Sequence, residues 1–186
     1  MKFIPSYLTI FFIVALSVPV KGNDPWTFSP IKASNETCND AINSVKSYLV
    51  KNKYFIPWKS QSLSGGMLYP SIKLSDSEIG ESYFNYPEER QSSVNFMLSG
   101  DSDRLYQGFL SSPQLMSDLG AGIMGACPNV GLVYFFYWDV FVPVGYFPDG
   151  TARTFIYATP DSSYAKTTAE GATKFMWGYY FDYFAF

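Results

Sequence analysis

The sequence predicts an α+β fold: an antiparallel sheet of about five strands, with two or three helices packed on one face. Three observations carry that expectation. The stretch from Val130 to Ala158 divides into three consecutive strand-like runs. A stripe at Cys38, Ile42, Val45 and Leu49 repeats at helical spacing. Between them, Ser92–Ser99 alternates Val94, Phe96 and Leu98 against Ser93, Asn95 and Met97, and two helix-start signals follow.

Taken in order, the chain opens as an exported protein would. Lys2 precedes an apolar run, Phe3–Val20, and Val20-Lys21-Gly22 places small residues at the −3 and −1 positions of a cleavage site. That layout predicts a secretory signal peptide over residues 1–22, leaving 23–186 as one domain in a secreted or periplasmic location. The alternative is an uncleaved anchor, but the run is near the lower length for spanning and contains Pro5. No later stretch is long and apolar enough to cross a bilayer as a helix, so no stable span is expected after cleavage. The whole chain has a formal charge of −3, and losing Lys2 and Lys21 makes it more acidic. Without a basic run it has no electrostatic footprint for nucleic acid.

Asn23–Ala33 reads as an extended lead-in. Thr37-x-x-Asp40 is a capping box with Asp in place of Glu, which starts a helix predicted over Cys38–Asn52. Prolines, serines and Gly65-Gly66 then mark turns, and Met67–Leu74 reads as a short strand. Asp101 is an N-cap for a helix over Ser102–Leu110. Ser112-Pro113 starts another, carrying Leu115, Leu119, Ile123 and Cys127 on one stripe. Gly120, Gly122 and Gly125 weaken that helix by about 1 kcal/mol each. Either they allow close packing or the helix ends near Leu119.

Val130–Trp138 is apolar or aromatic apart from Gly131, the pattern of a strand buried on both faces. Val140–Phe147 continues it. Pro143 cannot donate to a ladder, which predicts an edge strand or a bulge there. Pro148-Asp149-Gly150 supplies a turn, and Thr151–Ala158 returns. Thr159–Ala172 is polar and reads as a surface loop. Lys174–Phe186 reads as a last strand against the sheet. Its aromatic alternation to a terminal Phe186 also suits the closing strand of an outer-membrane barrel, a reading that Asp182 and the helices count against.

Cys38 and Cys127 are the chain's two cysteines. In an oxidising compartment one disulfide is the economical reading, worth roughly 4–5 kcal/mol for so long a loop on the chain-entropy model. Two free thiols or a metal site are the alternatives, and the second lacks ligands because the chain has no histidine. No cofactor is expected.

The missing histidine also removes the commonest general base and the Ser-His and Cys-His nucleophile systems. Ser163-Tyr164-Ala165-Lys166 matches the S-x-x-K pattern, in which one helical turn brings Lys to the nucleophile. A small Ser/Lys hydrolase is therefore one alternative, though no K-T-G follows. Asp101-Ser102-Asp103 and Asp76-Ser77-Glu78 lack the Gly and distant Glu of a calcium loop. Glu88-Glu89 is read as a solvated loop, not as an acid/base pair. The aromatic share, 19%, is the feature with functional content. Trp26, Trp58, Trp177, Tyr179, Tyr180 and Tyr183 fall in segments expected to be partly exposed. Of these, Trp58, Trp177, Tyr179 and Tyr180 are candidates for stacking on a glycan or anchoring an envelope protein. Ordinary packing, with a purely structural role in the envelope, is the competing explanation.

At Cys127-Pro128-Asn129-Val130-Gly131 and Trp177-Gly178-Tyr179-Tyr180 the chain resembles a group of small exported proteins of photosynthetic bacteria with no assigned function. They too pair an N-terminal helix cysteine with a Cys-Pro before a β-meander. The resemblance spans roughly Cys38–Tyr180. It implies export and a single domain, and no activity.

Overall fold

The computed structural model describes residues 26–56, 71–76, 79–138 and 140–180. The predicted leader, Trp58, Tyr183 and the rest of the C-terminal tail lie outside these residues. The fold combines helices with a six-stranded, mostly antiparallel sheet. Its strands are β1 (Phe28–Pro30), β2 (Ser71–Asp76), β4 (Ser92–Met97), β5 (Val130–Tyr137), β6 (Val140–Phe147) and β7 (Thr151–Thr154). They lie side by side in the order β1-β7-β6-β5-β4-β2. The helices are α1 (Cys38–Lys51), the short α2 (Ile79–Ser82), a π-helical segment at Arg104–Leu110 and α3 (Pro113–Ala126).

Helix α1 forms where the capping box placed it. Thr37 Oγ1 accepts from the Asp40 amide at 3.2 Å, and Ala41, Val45 and Leu49 are buried. Asp101 is the cap that the sequence implied, its carboxylate accepting from the Arg104 amide at 2.9 Å. The segment it starts winds more loosely than an α-helix, with the Ser111 amide reaching back five residues to the Tyr106 carbonyl. Helix α3 continues past Leu119, and two of its three glycines, Gly120 and Gly125, are points of close approach. A β-carbon at Gly120 would sit 2.7 Å from Val144 Cγ1, and one at Gly125 would meet the Lys32 carbonyl. Packing gained there outweighs the lost helix propensity.

α3 lies across β1, β7, β6 and β5, with α1 and the π-helical segment beside it. The core on this face joins Leu49, Phe109, Met116, Ile123 and Met124 to Val94, Phe96, Val133, Phe135 and Val144. Cys38 and Cys127 are bonded, with Cα atoms 4.7 Å apart, stapling α1 to the α3–β5 junction. Arg90 closes the same junction. Its guanidinium donates to the carbonyls of Met124 (3.0 Å) and Val130 (3.1 Å) and stacks 4.0 Å above the Tyr146 ring. A cation at the end of α3 also complements the helix dipole.

Three expectations need correction. The sheet is mixed, not wholly antiparallel, because β4 pairs parallel to β5, with Phe96 opposite Phe135. The two helical segments between these strands form the crossover that parallel pairing requires. Second, β6 is an interior strand despite Pro143. The Pro143 carbonyl accepts from the Phe155 amide (2.9 Å), so its nitrogen faces the place where regular β6–β7 pairing stops at Thr154. The missing N–H therefore falls at a local end of the ladder. Third, Thr151–Ala158 is not one strand. It breaks at Phe155, and β8 (Ile156–Tyr157) leaves the main sheet to pair with β11 (Tyr179–Tyr180).

The polar loop and aromatic tail also differ from expectation. Part of the loop is β9 (Ala165–Thr167), which pairs with β10 (Thr173–Met176). β10 pairs in turn with β3 (Tyr83–Phe84), making a small three-stranded sheet. The described part of the tail thus joins small ladders of its own instead of extending the main sheet. Together these strands cover part of the sheet face opposite α3. Their core is Leu132, Ile79, Tyr83, Phe155, Phe175 and Trp177.

Candidate functional site

Strand alternation decides what the second face presents. On β5, Val133, Phe135 and Tyr137 point to the helices, so Leu132 and Tyr134 point the other way. On β6, Val142 and Val144 face the helices and Phe141 does not. Tyr134 and Phe141 therefore stand side by side, with ring centroids 6.0 Å apart. β11 brings Tyr180 against Phe141 at 5.4 Å. The three rings form one wall of a cleft of about 450 Å³. Tyr83 and Phe175 of the small sheet form the other, and Glu81, Ser82 and Thr173 supply polar groups at its margin.

The small sheet is held off the main one by well-defined contacts. Trp177 is buried, its indole N–H donating to the Tyr146 carbonyl at 2.8 Å. Tyr83 packs edge-on against Phe155 (5.4 Å) and Trp177 (5.5 Å). These ring contacts fix the spacing of the layers, and the cleft lies where Tyr134, Phe141 and Tyr180 meet Tyr83 and Phe175. Its volume falls in the ordinary range for small-molecule sites, and mixed aromatic and polar lining is typical of them.

The sequence candidates are distributed unevenly over this arrangement. Tyr180 lines the cleft. Trp177 is a support of the layer and not an exposed ring, which corrects the exposure expected of it. Tyr179 is half-buried and stacks on Tyr164, ring centroids 3.8 Å apart and ring planes nearly parallel. Burial, together with the hydrogen bond and charge of the neighbouring Tyr164, pushes the Tyr179 phenol above its ordinary pKa. Trp26 packs edge-on to Tyr179 at 5.4 Å, outside the cleft lining. Trp58 lies outside the described residues. Tyr134, Phe141, Tyr83, Phe175 and Glu81 were not singled out by sequence. The alternation of β5 and β6 is the signal that could have found the first two.

Ser163 and Lys166 do not share a helical turn. Ser163 sits in a turn, Lys166 is in β9, and the Lys166 ammonium lies 4.3 Å from the Phe84 ring centroid. Among the described residues, no group of three His, Cys, Asp or Glu side chains converges on a point where a metal could be held. No helix among them is long and apolar enough to cross a membrane. No family model, curated protein or solved structure matches the chain.

Proposed function

We propose that the protein is an exported, non-catalytic binding module of the cell envelope, and that the aromatic cleft on the second sheet face is where it takes a glycan. The observation that carries this reading is the cleft itself. Tyr134, Phe141 and Tyr180 present adjoining rings beside Glu81, Ser82 and Thr173. The C–H faces of a sugar pack on such rings, while its hydroxyls need hydrogen-bonding groups at the margin. Export is supported by the disulfide, which belongs to oxidising compartments. An envelope protein partner is the competing occupant.

The test is a screen of the oxidised protein against immobilised glycans and against solubilised envelope fractions, with Tyr134→Ala/Tyr180→Ala in parallel. Retention on one or more glycans that the double variant loses, while both melt cooperatively, is the expected result. Retention of neither glycan nor envelope component above background would overturn the reading. Capture of an envelope protein by both forms would move the site elsewhere.

A further inference from the structure

We propose that the ligand of the cleft carries a positive charge, as a protonated or quaternary ammonium on a small polar body. This rests on reading the cleft as the binding site and adds the chemical class of what enters it. The lining contains one charged residue, Glu81, and no Lys or Arg. Its walls are aromatic, and ring faces carry the negative end of a quadrupole that attracts cations. The two lysines nearest in sequence to the lining strand segments are already engaged, Lys174 at the residue before Glu81. Lys174 donates to the Gly80 carbonyl at 2.6 Å, and Lys166 lies over Phe84. Neither contributes to the lining.

The charge and the rings thus agree in sign. An anionic ligand would meet a carboxylate and electron-rich faces with no cation in the lining to offset them. A neutral sugar would gain stacking and hydrogen bonds at the margin, but no contact between opposite charges. An ammonium gains both the cation–π contact and the Glu81 carboxylate, and the net negative charge of the chain, −3, favours its approach. Ring faces elsewhere in the molecule already hold its own cations in this way: Arg90 over Tyr146 at 4.0 Å and Arg153 over Phe147 at 4.6 Å. The same chemistry is available from an amine-bearing sugar or from a choline-type headgroup.

The experiment is calorimetric titration of the full oxidised chain with glucosamine, N-acetylglucosamine, glucuronate and choline, with aromatic NMR signals of Tyr134 and Tyr180 reporting where each probe sits. The expected result is that glucosamine, choline or both bind about tenfold or more tightly than the neutral and anionic probes. Glu81→Gln should remove most of that preference, and Phe141→Leu should weaken it while keeping apolar bulk. Glu88→Gln, at an exposed carboxylate outside the lining, should leave it intact. Which of the two cationic probes wins identifies the body that carries the charge. Equal or tighter binding of N-acetylglucosamine or glucuronate in the same cleft would overturn the charge inference and leave the binding module standing. No perturbation of the cleft rings by any probe, with the glycan screen also blank, would overturn both.

Discussion

The two faces of the main sheet are built from different materials. The face under α3 is closed by aliphatic and phenylalanine side chains from α1, the π-helical segment and α3. Val94, Phe96, Phe109, Val133 and Phe135 on it have no exposed surface at all. A disulfide and the Arg90 guanidinium lock its corner. The opposite face is covered by strands of two to four residues that meet it ring against ring, and they leave a cleft. Interior packing at crystal-like density leaves little room for ligands. The first face is therefore the source of stability, and the second is where the fold can spare surface for binding.

That division predicts a graded response. Removing the Cys38–Cys127 bond, as Cys38→Ala/Cys127→Ala or with reductant, should lower the unfolding free energy by about 4 kcal/mol, measured by urea denaturation. Phe135→Ala on the helix face should cost about 3–5 kcal/mol in the same assay, without involving any residue of the cleft lining. Gly120→Ala pushes a methyl into Val144 and should destabilise by about 1–3 kcal/mol, whereas Gly122→Ala, with open space around it, should be neutral or stabilising. Tyr180→Ala sits on the other side of the comparison. As a half-buried ring at the cleft it should reduce ligand affinity about tenfold or more, with a smaller effect on stability than Phe135→Ala.

The smallest effect should come from the Asp149–Arg153 ion pair at the β6–β7 turn. Burial acts against the Asp149 carboxylate, but the Thr151 hydroxyl, the Arg153 guanidinium and the Thr151 amide together outweigh it and hold the carboxyl below its ordinary pKa. The unfolded chain then takes up this proton first as pH falls. The contribution is present above the unfolded carboxyl's pKa and is lost as pH drops through the folded one. The pair is solvent-screened, so Asp149→Asn should change stability at neutral pH by less than about 1 kcal/mol and flatten the acid limb of a pH–stability curve slightly.

How much of this was legible in the sequence follows from what each signal encodes. α1 was readable because Thr37 and Asp40 fix a start and Val45 and Leu49 fix a face. The cysteine pairing was readable because only two cysteines exist. The parallel partnership of β4 and β5 was missed because alternation at Val94 and Phe96 says which face is buried and not which neighbour lies alongside. The helical segments between the two strands were the available clue. The break at Phe155 was invisible because Thr151–Ala158 keeps strand-like composition on both sides of it. The cleft was half legible. Tyr180 stood out in an aromatic tail, but Tyr134 and Phe141 are hidden in runs where nearly every residue is apolar. Only the three-dimensional position of the small sheet distinguishes those that pack in the core from those that line the cleft.

The most direct test of the difference between the two faces is a map of aromatic side-chain shifts as the oxidised protein is titrated with the best ligand from the glycan and ammonium screens. Changes centred on Tyr134, Phe141 and Tyr180, with Phe96, Phe109 and Phe135 unmoved, are the predicted result. Changes centred on exposed rings away from the cleft, such as Trp138 or Tyr106, would contradict it.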